Sequence, residues 1–194
     1  MASQPIPRLT EEEYLRIERA ASYKSEFVGG EMFAMAGGTP RHSMLEANAS
    51  RELGHQLRRT RCRVCSSNMR FRTPVTGDEL YPDISVICGP VQLYPGSTDI
   101  LVNPTVVVEV LSPSTANYDR GLKFELYRQF PTLRDYVIIH QKSIYIEHHS
   151  RQSDNAWLLR EYRGPDARVL LASIECELHL GSVYEDLMEE PSLE

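Results

Sequence analysis

The stretch Thr105-Val106-Val107-Val108-Glu109-Val110-Leu111 is an almost unbroken run of β-branched apolar residues in the middle of the sequence. Such a run predicts a central β-strand that is buried on both faces. Glu109 interrupts it, and a carboxylate buried among valines is unfavourable unless a partner compensates for its lost hydration. A divalent metal ion is the simplest partner. The stretch therefore predicts both the central strand of a sheet and a metal-binding site at Glu109.

Two flanking segments add polar groups to this strand. Upstream, Tyr81-Pro82-Asp83-Ile84-Ser85-Val86-Ile87 opens a second apolar run with an acid. Downstream, Ser112-Pro113-Ser114-Thr115 leads into a helical run over 118–130 that carries Lys123. The serine and threonine side chains are expected to cap this helix, and donation to a phosphate is the alternative.

Three segments have the periodicity or the end signals of helices. Thr10 and Glu13 form a capping-box pattern at the start of a helix that ends near Ala21. Two other helices, 41–59 and 118–130, have apolar residues at every fourth position, and these predict their buried stripes. The stripes are Leu45, Ala49, Leu53 and Leu57 in the first and Leu122, Leu126 and Phe130 in the second.

The remaining apolar runs predict strands. Segments 23–28 and 31–35 flank Gly29-Gly30 and predict a hairpin. In 68–73, Met69, Phe71 and Thr73 alternate with Arg70 and Arg72, which predicts one buried and one basic face. Further strands are expected at 62–65, 83–88 and 136–140, short antiparallel strands at 144–146, 157–162, 169–171 and 176–180, and a small closing helix at 183–188.

This order of elements predicts one mixed α/β domain over residues 1–194, with a central mixed sheet flanked by helices. We expect a core at about 41–140, a helix and hairpin at 10–36 and added strands at 143–188. The segment 89–104 is predicted to be a long loop whose three prolines shape access to the site.

Composition narrows the class of protein. A net charge of −6 and a pI near 5.6 argue against a general polyanion binder. No apolar run approaches the roughly 20 residues of a spanning helix, and the first residues lack a signal-peptide pattern. We therefore expect a cytoplasmic protein without a membrane partner. Four cysteines do not make a disulfide scaffold in a chain of 194 residues.

Pro82-Asp83 followed by Glu109 in the next strand resembles the PD-(D/E)xK nuclease superfamily and, more narrowly, a bacterial restriction-endonuclease-like family. The resemblance spans about 23–140. It is carried by Glu26, Glu31, His42, Pro82-Asp83, the block Glu109-Val110-Leu111-Ser112-Pro113-Ser114-Thr115, Asp119, Lys123, Tyr127 and Tyr136.

The resemblance implies a Mg²⁺- or Mn²⁺-dependent endonuclease that hydrolyses DNA phosphodiester bonds. Asp83 and Glu109 would lie side by side and hold the metal together with the carbonyl of Val110, because hard cations prefer oxygen ligands. Such nucleases often act as homodimers, and the apolar late hairpins are candidates for that contact.

The lysine departs from the superfamily pattern. The pattern places it two positions after the acid, where this chain has Leu111, whereas Lys123 lies in the following helix. Lys123 is expected to reach back and act on the water or the phosphate. Asp119, one helical turn earlier, is expected to hold it in place.

Two residues near the start of the long helix are auxiliary candidates. His42 and Glu46 match the place where some superfamily members keep an additional acid. The alternative is that they are a helix-start residue and a surface acid.

Other patterns leave alternatives open. Six arginines form either a nucleic-acid contact face or a solvated edge: Arg58, Arg59, Arg61, Arg63, Arg70 and Arg72. Cys62 and Cys65 have zinc spacing but would point to opposite faces of a strand. His148 and His149 are expected at the surface. The acidic charge and the displaced lysine favour the alternative function, a catalytically inactive restriction-endonuclease-like protein that acts as a binding or regulatory partner.

Overall fold

The computed structural model describes residues 8–35, 37–112 and 115–187. Within these residues the helices are α1 (Glu11–Ala20), α2 (Pro40–Gln56), α3 and α4 (Leu180–Val183). Helix α3 comprises Ala116–Tyr118, a π-helical section Asp119–Lys123, and Phe124–Tyr127. A 3₁₀ turn spans Ala172–Ile174.

Thirteen strands accompany these helices in the described part of the chain. They are β1 (Ser25–Val28), β2 (Glu31–Ala34), β3 (Cys62–Ser66), β4 (Arg70–Arg72), β5 (Glu79–Leu80), β6 (Ile84–Cys88), β7 (Ile100–Leu101), β8 (Val106–Leu111), β9 (Asp135–His140), β10 (Tyr145–Arg151), β11 (Trp157–Arg163), β12 (Arg168–Leu171) and β13 (Cys176–His179).

The predicted mixed sheet is confirmed. Six strands lie in the order β11-β10-β9-β8-β6-β3, and β8 runs parallel to β9 and antiparallel to β6. A second sheet has the order β2-β1-β5-β4-β7, and β12 pairs with β13. Because β7 lies within the predicted long loop 89–104, that segment is partly ordered into the second sheet.

All six residues of β8 are buried, as a strand covered on both faces requires. Val106, Val108 and Val110 pack toward α2, β12 and β13. Val107 and Leu111 belong to a second core with residues of α3. Glu109 alternates with the first set and therefore shares the face of the second.

The predicted N-terminal features are confirmed. Thr10 and Glu13 form a reciprocal capping box at the start of α1. Gly29 and Gly30 have φ values of +60° and +85°, and Val28 pairs with Glu31 across them. A two-residue hairpin turn needs positive φ at both positions, which glycine adopts without steric cost.

The predicted stripe of α3 is wrong at Leu122, which is 45% exposed, whereas Leu126 and Phe130 are buried. The π-helical section adds a residue to one turn and rotates the helix surface. Asp119 and Lys123 consequently face inward, and both are buried. A 3.6-residue periodicity does not anticipate this rotation.

The predicted basic face of β4 is also wrong. Arg70 is 2% exposed and contacts Glu18, Glu79 and Asp99 at 2.8, 3.1 and 2.7 Å. Arg72 makes two bonds of 2.7 Å to Glu11. These acids lie on α1, β5 and a loop, so the alternation within β4 alone does not reveal them.

Two predictions for the C-terminal part of the chain are wrong: the surface position of His148 and the start of the closing helix. His148 is buried, with Nε2 2.7 Å from Oδ1 of Asp135, so it is not a surface residue. The ring of His149 lies 4.4 Å from the ring of Phe124. The closing helix begins earlier than predicted, at Leu180, and Met188 lies outside the described residues.

The cap predicted at 112–115 falls partly on Pro113 and Ser114, which lie outside the described residues. Ser112 Oγ accepts a hydrogen bond of 3.2 Å from the Thr115 N–H. Thr115 itself makes no side-chain cap, so the expected capping role fails at that residue.

Cys62 and Cys88 form a disulfide between β3 and β6, a pairing that the sequence did not predict. Cys65 and Cys176 are free thiols. Disulfides are uncommon in reducing compartments, so the cytoplasmic location stays a prediction. No helix in the described ranges has the length and apolar character to cross a bilayer.

Replacing Arg70 tests the buried ion pairs. Arg70→Met leaves the carboxylates of Glu18 and Glu79 buried without their cation, which is expected to cost about 3–5 kcal/mol of stability. Burial already raises the pKa of Glu79 to about 7. Losing the guanidinium raises it further, so the destabilisation grows as pH rises from about 5 to 8. Urea unfolding at both pH values measures this change.

The control is Arg58→Met, which replaces an exposed arginine after α2. It is expected to change the unfolding free energy by less than about 0.5 kcal/mol. Equal stability of the Arg70 variant and this control would contradict a structural role for the Arg70 cluster.

Candidate active site

Asp83 and Glu109 lie at the same end of two neighbouring central strands. Ile84 pairs with Val108 in the antiparallel register of β6 and β8, which places Asp83 opposite Glu109. The Val110 N–H donates to Oδ2 of Asp83 at 2.7 Å, and the Asp83 N–H donates to Oε2 of Glu109 at 3.4 Å. The structure thus brings the two predicted acids together.

Lys123 reaches this pair from α3. Its Nζ lies 3.0 Å from Oε1 of Glu109 and 3.1 Å from the carbonyl oxygen of Tyr81. It also lies 3.2 Å from Glu26 and 3.9 Å from Asp119. Lys123 thus reaches back from the helix that follows β8, as expected, and its ammonium is buried among carboxylates.

These charges set the protonation of the lysine. Burial opposes the charged form of Lys123, but Glu109 and Glu26 outweigh it and hold the pKa well above its usual value. Burial, reinforced by Asp83 and Asp119, raises the pKa of Glu109 well above that of a free glutamate, despite the opposing ammonium. Lys123 therefore carries a positive charge at neutral pH.

Glu26 is a contact of Lys123 that sequence reasoning missed. Glu26 belongs to the family resemblance, but the sequence assigns it no partner. Its carboxylate accepts hydrogen bonds from the Tyr81 N–H at 3.0 Å and the Tyr118 hydroxyl at 2.9 Å. The signal that could have identified it is an acid in β1, a strand whose four residues are all buried.

His42 and Glu46 lie beside Asp83. Spacing of four residues places both on one face of α2. The ligand atoms of His42, Glu46 and Asp83 all lie within 4.8 Å of one another, and His42 Nε2 is 3.3 Å from Asp83 Oδ2. The three side chains line a cleft of about 590 Å³. Asp83 thus joins the acid–lysine cluster to an open cleft.

The turn before α2 allows this packing. Thr39 Oγ1 accepts the His42 N–H at 3.1 Å and caps the helix, and Pro40 occupies its first turn. A Cβ on Gly38 would lie 2.9 Å from Nδ1 of His42. Glycine at this position leaves room for the imidazole.

The three cleft residues influence one another's protonation. Burial opposes ionisation of Asp83, but His42 and Lys123 outweigh it and lower the pKa. Burial likewise opposes the charge on His42, but Asp83 and Glu46 raise its pKa overall. Burial and the nearby Asp83 raise the pKa of Glu46. Asp83 and Glu46 thus favour the protonated form of His42.

The donor set fits a hard or borderline divalent cation. One imidazole nitrogen and two carboxylates suit Mn²⁺, and the carboxylates suit Mg²⁺. Glu109 is not in this three-residue group, because its carboxylate faces Lys123. The backbone of Val110 hydrogen-bonds both Asp83 and His42. The metal role expected for Asp83, Glu109 and Val110 stays a prediction.

Comparison with known proteins agrees with this architecture. A family model described as "Uma2: Putative restriction endonuclease" matches residues 11–181. The uncharacterised proteins slr1290 and sll1609 of Synechocystis sp. (strain ATCC 27184 / PCC 6803 / Kazusa) are 36% and 35% identical to the chain. The alignments cover 95% of this chain and 96% of slr1290, and 83% of this chain and 91% of sll1609.

The fold is also found in a solved structure. It is the crystal structure of "a putative nuclease belonging to DUF820" from Anabaena variabilis ATCC 29413, with a TM-score of 0.73 and 16% identity. The match covers 91% of this chain and 98% of that one.

A mixed sheet with two acids at the same end of adjacent strands and a lysine from the next helix defines a restriction-endonuclease-like protein of the PD-(D/E)xK class. Within that class, the chain belongs to the Uma2 family.

The His42–Asp83 contact generates a pH-dependent prediction for the metal-free protein. Folding raises the pKa of His42, so its stabilising contribution is fully present below the unfolded pKa of about 6.5. That contribution is lost as pH rises through the folded value. We expect His42→Gln to destabilise the protein more near about pH 6 than near about pH 9.

Urea unfolding in chelator at the two pH values measures the difference. The control is His55→Gln, which alters an exposed histidine of the same helix. We expect it to change the unfolding free energy little at either pH. An equal loss for His42→Gln at both pH values would mean that the imidazolium–carboxylate contact contributes nothing.

Proposed function

We propose that this protein is a metal-dependent endonuclease that hydrolyses DNA phosphodiester bonds. The observation that carries the proposal is the buried Lys123 ammonium, 3.0 Å from Glu109, next to Asp83 at the end of the central strands. The restriction-endonuclease description of the family and the nuclease description of the Anabaena variabilis protein support the same class of activity.

The metal belongs at the mouth of this site. Asp83, with Glu46 and His42 from α2, would hold Mg²⁺ or Mn²⁺, and Glu109 with the Val110 carbonyl are the further candidates. A bound divalent ion neutralises phosphate charge and makes water more acidic. A cation held by these residues would supply positive charge beside Asp83 in place of a protonated His42.

Lys123 supplies a fixed positive charge and hydrogen-bond donors. Because its pKa is held high, it keeps its proton throughout and does not act as a base. An ammonium aimed at a non-bridging phosphate oxygen stabilises the charge that develops there during hydrolysis. Asp119 and Glu26 hold its position.

Glu109 is placed to orient the attacking water. Its Oε1 makes the ion pair with Lys123 and accepts no hydrogen bond from the described residues. In its ionised form, this carboxylate would accept a hydrogen bond from the attacking water and orient it.

Two further parts of the proposal are a DNA substrate and a homodimer. Arg58, Arg59, Arg61 and Arg63 are exposed near β3 and are available to a phosphate backbone. Cutting both strands of a duplex requires two sites, which is the reason we propose a homodimer.

The catalytically inactive alternative is supported by the three carboxylates around Lys123, since such a cluster also stabilises a fold.

Metal binding is tested by thermal unfolding with and without Mn²⁺. A ligand that binds only the folded state at 100 times its Kd stabilises it by about 2.7 kcal/mol. We expect the Tm of the wild type to rise and the rise to disappear in Asp83→Asn and to shrink in Glu46→Gln. Glu52→Gln makes the same change on α2 outside the cluster and should respond like the wild type. An unmoved Tm for every variant would favour the inactive alternative.

Catalysis is tested by cleavage of supercoiled plasmid and of single-stranded DNA in Mn²⁺. Lys123→Met removes the ammonium and Asp83→Asn a proposed ligand, so each is expected to lower the rate by at least about 100-fold. Lys142→Met replaces an exposed lysine and should cleave like the wild type. Thermal unfolding verifies that each variant is folded. Equal cleavage by all four proteins would identify a contaminating nuclease and remove the support for the proposal.

A further inference from the structure

A second cleft lies on the outer side of α3 and shares no residue with the cleft beside Asp83. Its volume is about 460 Å³, and it is lined by Arg128 and Gln129 after α3, Arg151 at the end of β10 and Trp157 at the start of β11. It was not anticipated from the sequence, because these residues come from separate segments.

Two arginines and one acid, Glu125, line the cleft, and neither arginine is paired with a carboxylate in the described part of the chain. Arg128, Arg151 and the nearby Arg134 form no ion pair with acids of the described residues, whereas Arg70 and Arg72 each contact a carboxylate. Burial, followed by repulsion from Arg134 and Arg128, lowers the pKa of Arg151. Arg128 and Arg151 outnumber the one acid of the lining, Glu125, and this excess of positive charge favours an anionic ligand.

Arg151 is held in place by the backbone. Its guanidinium donates to the carbonyl oxygens of Phe130, at 3.0 Å, and Arg128. Its Nε is buried and has no hydrogen-bond partner among the described residues. A buried donor without a partner is unfavourable unless a ligand or water satisfies it.

An aromatic surface adjoins these cations. The Trp157 ring lies 4.9 Å from the Arg151 guanidinium carbon and meets Phe124 edge-on at 5.3 Å. The Phe124 ring also lies 5.2 Å from the guanidinium carbon of Arg128. In sites of this kind, guanidinium groups bind phosphate, and aromatic rings stack on unstacked bases.

We propose that the cleft formed by Arg128, Arg151 and Trp157 is a non-catalytic binding site for single-stranded nucleic acid. The arginines contact the phosphates, and a base stacks on Trp157. A single strand is favoured over a duplex because only an unstacked base exposes a face to the indole. The inference deepens the proposed nuclease function and rests on it, since Phe124 directly follows Lys123 on α3 and the site would position a strand near the catalytic cluster.

The test uses tryptophan fluorescence, because Trp157 is the only tryptophan in the chain. An oligothymidylate of about 12 nucleotides is titrated into the full-length protein in chelator, where metal-dependent cleavage does not occur. We expect saturable quenching, and an affinity that decreases as salt increases with a slope near about −0.7 per phosphate contact. Anisotropy of a labelled oligothymidylate gives the affinity independently of the indole.

Four variants distinguish specific binding from general attraction. Arg128→Glu, at an exposed position, is expected to weaken binding at least about tenfold, and Trp157→Ala about tenfold in the anisotropy assay. Glu125→Gln removes an acid that lines the cleft and should tighten binding. Arg160→Glu reverses an exposed charge on β11 outside the cleft and should change the affinity by less than about twofold, because salt screens a distant charge.

Other outcomes overturn the inference. Equal weakening by Arg128→Glu and Arg160→Glu would indicate attraction to any basic surface, and tighter binding of a duplex would contradict base stacking on Trp157. Quenching by inorganic phosphate alone, with no added effect of the oligonucleotide, would identify a site for free phosphate. Plasmid cleavage without quenching would leave the nuclease proposal intact while removing this site, and quenching without cleavage would do the reverse.

Discussion

The contact between the Lys123 ammonium and the Glu109 carboxylate is the interaction on which the site depends. Glu109 lies in a strand that is covered on both faces, where an unpaired carboxylate would be strongly unfavourable. Lys123 supplies the compensating charge at 3.0 Å, and Glu26 adds a second carboxylate on its other side. The same pair therefore stabilises the central strand and concentrates charge beside Asp83 at the end of the sheet.

The π-helical section of α3 makes that contact possible. It spans Asp119–Lys123 and turns both charged side chains toward the sheet, while Leu122 is left 45% exposed. Exposing a leucine and burying a lysine is unfavourable for folding alone. Such local departures from regular geometry are frequent at functional sites. Here the departure lets a lysine displaced from the superfamily position reach the same acids.

The two sides of α3 carry different groups of side chains. Toward the sheet, Lys123 contacts Glu109 of β8, and Asp119 lies one helical turn away at 3.9 Å from the ammonium. Toward solvent, Arg128, Arg151 and Trp157 line a cleft, and the Phe124 ring contacts both Trp157 and Arg128. The acidic chain thus carries local positive charge in a restricted place, which its net charge of −6 does not reveal.

Local sequence patterns determined most of the strands, the capping box of α1 and the Gly29-Gly30 hairpin, because burial periodicity and turn chemistry depend on near neighbours. The family resemblance supplied the placement of Asp83 beside Glu109 and the expected role of Lys123. Only the tertiary structure decided that Arg70 is buried, that His42 and Glu46 face Asp83, that Glu26 holds Lys123, and that Cys62 bonds Cys88. Each of these depends on charges or thiols that distant segments bring together, and the energy of such a contact is set by three-dimensional separation and burial, which spacing along the chain does not encode.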